Sequence, residues 1–233
     1  MAKGEYREAA FDQALGMLYE SAIAPEALPA GLNALTKLID GDTCHLVAWD
    51  RRSGAPTLSV SHGLPVEVGP DYAARYAEID PRRQLAMTRS PGFVLNCHEH
   101  FDKRFVERDE FFQDYLIPQV GVHYLLGAGD LVPEGDELTL IGFHRYVGHE
   151  AFSDDESSTF KRLLPHLQRA LRLRHRFQEA GNRHLYGNTL LEHSNLATMA
   201  ISAQGRVVWS NRHGMALLRN AKWLQEVGGR LRA

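Results

Sequence analysis

Apolar residues recur at steps of three and four along much of the chain, as they do on one face of an α-helix. In the first such run, Phe11, Leu15 and Leu18 share the predicted buried face. Asp80 followed by Pro81 ends a later run, because the residue before a proline disfavours helical conformation. Apart from one long helix described below, the predicted helices are 5–21, 25–39, 71–79, 82–88, 107–117, 186–193 and 211–219.

Runs rich in β-branched and aromatic residues predict strands between these helices. Two of them, 43–49 and 57–61, flank turn-forming residues and are expected to form a hairpin. The runs 120–131 and 137–145 most economically form an antiparallel pair at the centre of a sheet, since Pro133 to Asp136 supply a turn between them. Shorter strands are predicted over 93–95, 198–202 and 206–210.

The order of these elements lacks the regular strand–helix alternation of a parallel sheet. The expected fold class is therefore α+β, with an antiparallel sheet covered by helices, as in sensor domains, and not a doubly wound nucleotide-binding fold. The predicted domains are 1–152, a long helical segment at 153–180, and a second unit at 181–233. That second unit holds too few strands for an independent core, so the sequence is interpreted as stopping inside a domain.

The long helix is predicted over 153–177. Ser153 suits the N-cap position, and Glu156 stands three residues later, where its carboxylate can complete a capping box. Pro165 lies inside the helix and is expected to kink it near Arg162 without ending it. An apolar stripe that extends past the domain is usually covered by a second copy, which predicts a homodimer. The residues expected at that interface are Leu164, Leu167, Leu171 and Phe177.

Charge is distributed unevenly along the chain. Residues 1–155 hold 13 Lys and Arg against 25 Asp and Glu, whereas residues 156–233 hold 13 against 4. A basic end of this kind can bind nucleic acid or an acidic partner, and the basic face of the long helix can also be simply solvated or dock on the acidic body.

Other features narrow the class of protein. Neither an apolar run of the roughly 20 residues that a membrane span needs nor a signal-peptide core is present, so a cytoplasmic location is expected, without a membrane partner. Cys44 and Cys97 are not clustered, which fits a reducing compartment and packing roles.

One short segment carries side chains of the types that bind metals in catalytic sites. Asn96 to His100 includes a cysteine and two histidines, but zinc needs about four converging ligands and no partner motif stands elsewhere. A metal-dependent hydrolase at 97–100 is kept only as a reserve hypothesis. No nucleophile elbow, HExxH helix, Walker loop or dinucleotide-binding turn is present, so neither an enzyme nor a cofactor is expected.

Two segments resemble bacterial LuxR-type transcriptional regulators. Residues 164–171, LPHLQRAL, resemble a helix found in many of them, and 205–212, GRVVWSNR, are similar to the opening of their following PAS-like segment. Tyr72, Tyr76, Asp80 and Pro81 resemble the aromatic and Asp-Pro positions of autoinducer-binding domains, where they hold an acyl amide. The resemblance implies a PAS/GAF-like sensory region followed by a partial PAS-like unit. DNA binding in this family belongs to a helix-turn-helix, which residues 219–233 do not supply.

A ligand pocket is predicted between the sheet and the helix 71–79. Side chains with an aromatic or acidic character and polar tips would converge there, as in many small-molecule sites. The alternative is that they form an ordinary aromatic core. The candidate residues are Trp49, Tyr72, Tyr76, Asp80, Tyr115, His123 and Tyr124.

Two functions remain from different classes. The first is the ligand-sensing, dimerising regulatory region of a LuxR-type regulator, whose partner is a small-molecule effector. The second is a protein-interaction module whose pocket is filled by its own side chains and binds no small molecule.

Overall fold

The computed structural model describes residues 3–65, 68–221, 223–227 and 230–232. The chain divides into two compact units, Met1–His175 and Arg176–Ala233. We call them the first and the second unit.

The first unit opens with two helices, α1 (Lys3–Ile23) and α2 (Leu28–Leu38), as the apolar spacing predicts. Further along, α3 (Val68–Asp71) continues into a π-helix, Tyr72–Tyr76, and α4 spans Pro81–Met87. The unit also contains α5 (Lys103–Val106), a second π-helix (Phe111–Val120) and the start of α6 (Asp154–His193).

Five strands form one antiparallel sheet in the order β2-β1-β5-β4-β3. The predicted hairpin and the predicted central pair are confirmed, with β5 in the middle of the sheet. The α+β fold class is therefore confirmed. The strands are β1 (Thr43–Asp50), β2 (Pro56–His62), β3 (Val94–Asn96), β4 (Val122–Ala128) and β5 (Glu137–Tyr146).

The prediction of one α-helix over 107–117 is wrong. Asp102 accepts a hydrogen bond from the backbone nitrogen of Phe105 at 2.7 Å and so starts the short helix α5. A wider π-helix then runs to Val120, and it ends at Gly121, whose φ of +76° is the left-handed conformation that glycine tolerates. Strand β4 consequently starts later than predicted.

Each face of the sheet packs against a different helical layer. On one face, α1, α2 and α6 enclose the first core, in which Cys44, Leu46 and Phe143 are fully buried. On the other face, both π-helices contribute to a second core that includes Phe111, Phe112 and Tyr115. The sheet is thus covered by helices on both faces.

Helix α6 begins with the predicted capping box. The backbone nitrogen of Ser153 donates to Glu156 Oε2 at 2.7 Å, and the backbone nitrogen of Glu156 donates to Ser153 Oγ at 3.4 Å. The helix passes Pro165 and continues to His193, so the predicted end of this helix at residue 177 is wrong. The separately predicted helix 186–193 is the last part of α6.

The structure also corrects the residues proposed for a dimer interface. Leu167 and Leu171 are 1% and 7% exposed and belong to the first core, so neither can contact a second copy in this fold. Leu164 is half-buried against the same core. Phe177, in contrast, is 50% exposed.

The second unit contains the last part of α6, a hairpin of β6 (Met199–Ile201) and β7 (Val207–Ser210), and α7 (Arg212–Asn220). Asn211 caps α7, because its side chain accepts from the backbone nitrogen of Gly214 at 2.8 Å. A second hairpin, β8 (Gln225–Val227) with β9 (Arg230–Arg232), is absent from the sequence-based prediction. None of the helices in the described residues combines the length and the apolar character needed to cross a membrane.

Candidate ligand-binding site

The second face of the sheet carries the candidate site. Side chains alternate along β1, so that Leu46 joins the first core while His45 and Val47 face the other way. On β5 the same alternation brings Gly142 and His144 to this face. The segment from α3 to α4 and the second π-helix supply the opposite wall.

Asp80 organises the entrance of α4. Its carboxylate accepts from the backbone nitrogens of Arg82 and Arg83 at 2.8 and 3.4 Å, which caps the helix. The Arg82 side chain adds a two-point ion pair through Nε and Nη2, both at 2.9 Å. Tyr72 Oη donates to Asp80 Oδ2 at 3.0 Å. Asp80 and Arg82 are 3% and 5% exposed, so this ion pair is buried.

Three tyrosines from two helices meet beside this pair. The rings of Tyr76 and Tyr115 stack with their centroids 3.8 Å apart, and Tyr72 lies 6.5 Å from Tyr115. Each hydroxyl already has a partner inside the protein. Tyr72 donates to Asp80, Tyr115 donates to the carbonyl oxygen of Val68 at 3.0 Å, and Tyr76 accepts from Gln119 Nε2 at 3.3 Å.

A cavity of about 80 Å³ lies between the sheet and these helices. Gly127 and Gly142 form a cross-strand pair on its floor. A Cβ atom on Gly142 would stand 2.8 Å from Leu125 Cδ1, so glycine keeps this part of the floor open. The aliphatic lining residues are Val47, Leu64, Val68, Leu95, Leu116, Val120, Val122, Leu125, Leu140 and Ile141.

Burial changes the titration of several groups around the cavity. It lowers the pKa of His45 to about 4, with a smaller effect of the Arg82 charge in the same direction. It also lowers the pKa of His144 well below its ordinary value. Both imidazoles are therefore neutral near pH 7. Burial, reinforced by the Asp80 carboxylate, raises the pKa of the Tyr72 hydroxyl.

The structure brings only part of the predicted residue set to this cavity. Tyr72, Asp80 and Tyr115 line it, whereas Trp49 and Tyr76 lie one layer behind, against Tyr72 and Tyr115.

His123 and Tyr124 are placed elsewhere. An irregular step between Val122 and Tyr124 shifts the register at the start of β4, and the two rings stack on each other at 4.2 Å. They line a second depression near Cys97 and His98. The prediction that all seven residues converge is therefore wrong for these two.

Four polar residues of the lining were missed: His45, Arg82, Arg83 and His144. Two signals for them existed in the sequence. The arginines directly follow Asp80-Pro81, and both histidines occupy the strand positions that alternate with core residues.

The segment around Cys97 does not form a metal site in the described part of the chain. No group of three His, Cys, Asp or Glu side chains comes together there in metal-binding geometry. The Cys97 thiol accepts from the backbone nitrogen of Leu125 at 3.1 Å, and burial raises its pKa. His98 Nδ1 lies 2.9 Å from Asn96 Oδ1, and Asn96 Nδ2 donates to the carbonyl oxygen of Phe152 at 3.0 Å.

The antiparallel sheet between two helical layers defines the first unit as a GAF-like α+β domain. Among solved structures, the chain is similar to the LBD domain of VqsR from Pseudomonas aeruginosa, with a TM-score of 0.53 and 16% identity over 72% of this chain and 98% of that one. The chain is also similar to CepR2 from Burkholderia cenocepacia, an N-acylhomoserine lactone dependent LuxR family transcription factor. The TM-score is 0.51, and the sequence identity is 19% over 72% of this chain and 94% of that one.

A GAF domain from a phosphoenolpyruvate-protein phosphotransferase of Coxiella burnetii gives a TM-score of 0.50 and 15% identity over 80% of this chain and 99% of that one. No protein-family model matches the chain, and no curated protein matches it by sequence. At these identities the likeness establishes the fold alone. The predicted resemblance is thus confirmed at that level, since the neighbours are LuxR-family ligand-binding and GAF domains.

Proposed function

We propose that the chain is the ligand-sensing, dimerising regulatory region of a bacterial LuxR-type transcriptional regulator and acts in the cytoplasm without catalysing a reaction. The effector is a small molecule that occupies the cavity between the sheet and the α3–α4 segment. DNA binding would belong to a helix-turn-helix in another part of the regulator. The fold shared with sensor domains makes such a role plausible.

The observation that carries the proposal is the composition of the cavity. Its walls are mostly aliphatic, and three of its polar lining residues, Tyr72, Asp80 and Arg82, are joined by hydrogen bonds. This is the usual construction of a small-molecule site. The lining comes from strands on one side and from π-helices on the other, and π-helical turns frequently occur at functional sites.

One observation favours the alternative, a protein-interaction module without a ligand. The hydroxyls of Tyr72, Tyr76 and Tyr115 are all hydrogen-bonded within the protein, as they would be in a self-sufficient core. The two functions differ in whether the cavity takes up a small molecule.

Native mass spectrometry of the protein purified from its own cells tests the proposal. We expect an adduct of small-molecule mass that is lost in the variant Val47→Phe, because Val47 lines the cavity and a larger ring would fill it. The same change at Val60, which packs on the opposite face of the sheet, is the matched control and should keep the adduct. A protein without an adduct, whose melting temperature no metabolite extract raises, would favour the interaction module.

A further inference from the structure

Arg82 has a buried hydrogen-bond donor without an acceptor. Its side chain is 5% exposed, and Nε and Nη2 are both bound to Asp80. Within the described residues, no group accepts from Nη1, although this atom is shielded from solvent. A buried donor without a partner is costly, so an acceptor placed in the cavity that Arg82 lines would bind favourably there.

Arg83, the next residue, adds a second cation to the lining. Its guanidinium stacks over the ring of Trp49 at 4.9 Å, and Nη1 donates to the carbonyl oxygen of Ala77 at 3.2 Å. Its Nε is also buried and has no acceptor among the residues that the structure describes. Two arginines that line one cavity therefore each carry a buried donor without an acceptor among the described residues.

The charges of the described lining residues do not balance. One carboxylate, Asp80, stands against the two guanidinium groups of Arg82 and Arg83. His45 and His144 contribute no charge near neutral pH, because burial lowers the pKa of both. Among the described lining residues, one positive charge therefore has no matching carboxylate, and it would attract an anion placed in the cavity.

Asp80, in contrast, has little capacity left for a ligand. Oδ1 accepts from Arg82 Nε and from two backbone nitrogens, and Oδ2 accepts from Arg82 Nη2 and Tyr72 Oη. A carboxylate offers about four lone-pair positions, and this one already receives five donors. An amide N–H of a ligand would find no free acceptor on Asp80.

These observations together define a ligand class, and the inference rests on the function proposed above. We propose that the cavity binds a small aliphatic monocarboxylic acid, whose carboxylate accepts from Arg82 Nη1 while its chain lies against the aliphatic wall. The planar guanidinium and the carboxylate form charge-assisted hydrogen bonds, which are stronger than bonds between neutral groups. Val47, Leu116 and Leu125 are among the apolar side chains that would contact the chain.

Isothermal titration with matched probes tests the ligand class. The probes are butyrate, hexanoate and octanoate, each compared with its primary amide and its methyl ester, together with N-octanoyl homoserine lactone. We expect at least one acid to bind about tenfold to a hundredfold more tightly than its own amide and ester, because only the acid supplies the charged acceptor.

Variants then assign the contact to Arg82. Arg82→Lys keeps a positive charge beside Asp80 but lacks the second nitrogen of the guanidinium, so binding of the preferred acid should weaken about tenfold or more. Arg89→Lys, an exposed position soon after the same helix, is the matched control and should bind like the wild type. Circular dichroism of each variant verifies the fold, and the comparison of acid, amide and ester on the wild type is independent of any variant.

Two results would overturn the proposal. Tighter binding of an amide, an ester or the lactone would refute the anionic class while leaving the sensor function intact. Failure of every acid to bind would also refute it, and the adduct measurement on the protein from its own cells would then decide the sensor function separately.

Discussion

Asp80 combines two structural tasks at the scale of a single residue, since it caps α4 and neutralises the buried guanidinium of Arg82. Asp80→Asn keeps the cap geometry but leaves the Arg82 charge uncompensated, and breaking a buried ion pair typically costs about 3 to 5 kcal/mol. We therefore predict a loss of roughly 3 kcal/mol in the free energy of unfolding, measured by urea denaturation of the ligand-free protein.

Asp71→Asn is the matched control for this prediction, because Asp71 is an exposed carboxylate of the neighbouring helix α3. It should change the free energy of unfolding by less than about 0.5 kcal/mol. Equal stability of Asp80→Asn and Asp71→Asn would contradict a structural role of the buried pair.

The lowered pKa of His45 predicts that the stability of the protein depends on pH. Its pKa is about 4 in the folded protein, below the ordinary value of 6.5, so between these values the unfolded chain binds more protons than the folded one. Stability should therefore rise with pH across this window and be lost as pH falls through it, by at most about 1.4 kcal/mol per pH unit for one group. His45→Gln should flatten the profile relative to the wild type in denaturation series from acid to neutral pH. If the difference in stability between the two proteins were the same at every pH, this would contradict the lowered pKa of His45.

The candidate site shows which residues a sequence can reveal. Tyr72, Asp80 and Tyr115 were predicted because aromatic residues with polar tips and an Asp-Pro step can be recognised from the sequence without knowledge of the fold. Arg82 was missed because an arginine is normally exposed, and its burial depends on a partner that only the fold supplies. Tyr124 was misplaced because the irregular step in β4 cannot be read from alternation.

At the scale of elements, a substitution at Gly181 tests whether α6 is continuous through this residue. Gly181 is exposed, and an added Cβ would meet nothing within 4 Å. Alanine is favoured over glycine in a helix by roughly 0.5 to 1 kcal/mol, so Gly181→Ala should increase helical circular dichroism and raise the melting temperature of the second unit. Gly205→Ala is the opposite control, because Gly205 has a φ of +77° and should tolerate alanine poorly. A helix broken at Gly181 would instead lose stability on this substitution.

The basic face of α6 is partly paired with acidic groups of the first unit. Arg162 forms a two-point ion pair with Glu8 of α1, at 2.8 and 2.6 Å, and Arg172 lies 3.6 Å from Glu134. Both pairs are exposed and contribute little to stability individually. They show that part of the basic face contacts the acidic body, which was one of the alternatives left open by the charge pattern.

Helices were predicted well where the apolar periodicity was long and a capping motif marked the start of the helix. The start of α6 was correct because Ser153 and Glu156 form a local motif that needs no tertiary context. The second π-helix was predicted as an α-helix, since apolar spacing alone cannot separate the two over ten residues. The predicted end of α6 at residue 177 was wrong, since the helix continues through Gly181, and a single glycine costs a helix only about 1 kcal/mol.

At the scale of the whole molecule, the dimer prediction now depends on different residues. Phe177→Glu should dissociate a dimer without unfolding the first unit, because Phe177 is half exposed. Leu171→Glu should unfold the first unit whatever its assembly state, because Leu171 belongs to the core. Sedimentation together with thermal melting separates the two effects, and a wild-type monomer at micromolar concentration would refute the dimer.

Residues 1–233 by themselves are also predicted not to recognise DNA specifically. In the described residues of the second unit, α7 lies between two hairpins, and no helix-turn-helix places a recognition helix for a groove. Basic residues of α6 can still hold phosphates, so any binding should be weak, indifferent to sequence and abolished by about 200 mM salt. A promoter footprint that persists at that salt concentration would contradict this prediction.

The two buried cysteines give each side of the sheet its own chemical reporter. Cys44 lies in the core beneath α1, α2 and α6, whereas Cys97 lies on the side of the π-helices, and burial raises the pKa of both thiols. Neither can be alkylated quickly until its surroundings open, because only the accessible thiolate is reactive. Alkylation rates at the two positions, followed by peptide mass spectrometry, therefore report how often the structure around each cysteine opens locally. An effector in the proposed cavity should slow modification of Cys97 more than that of Cys44.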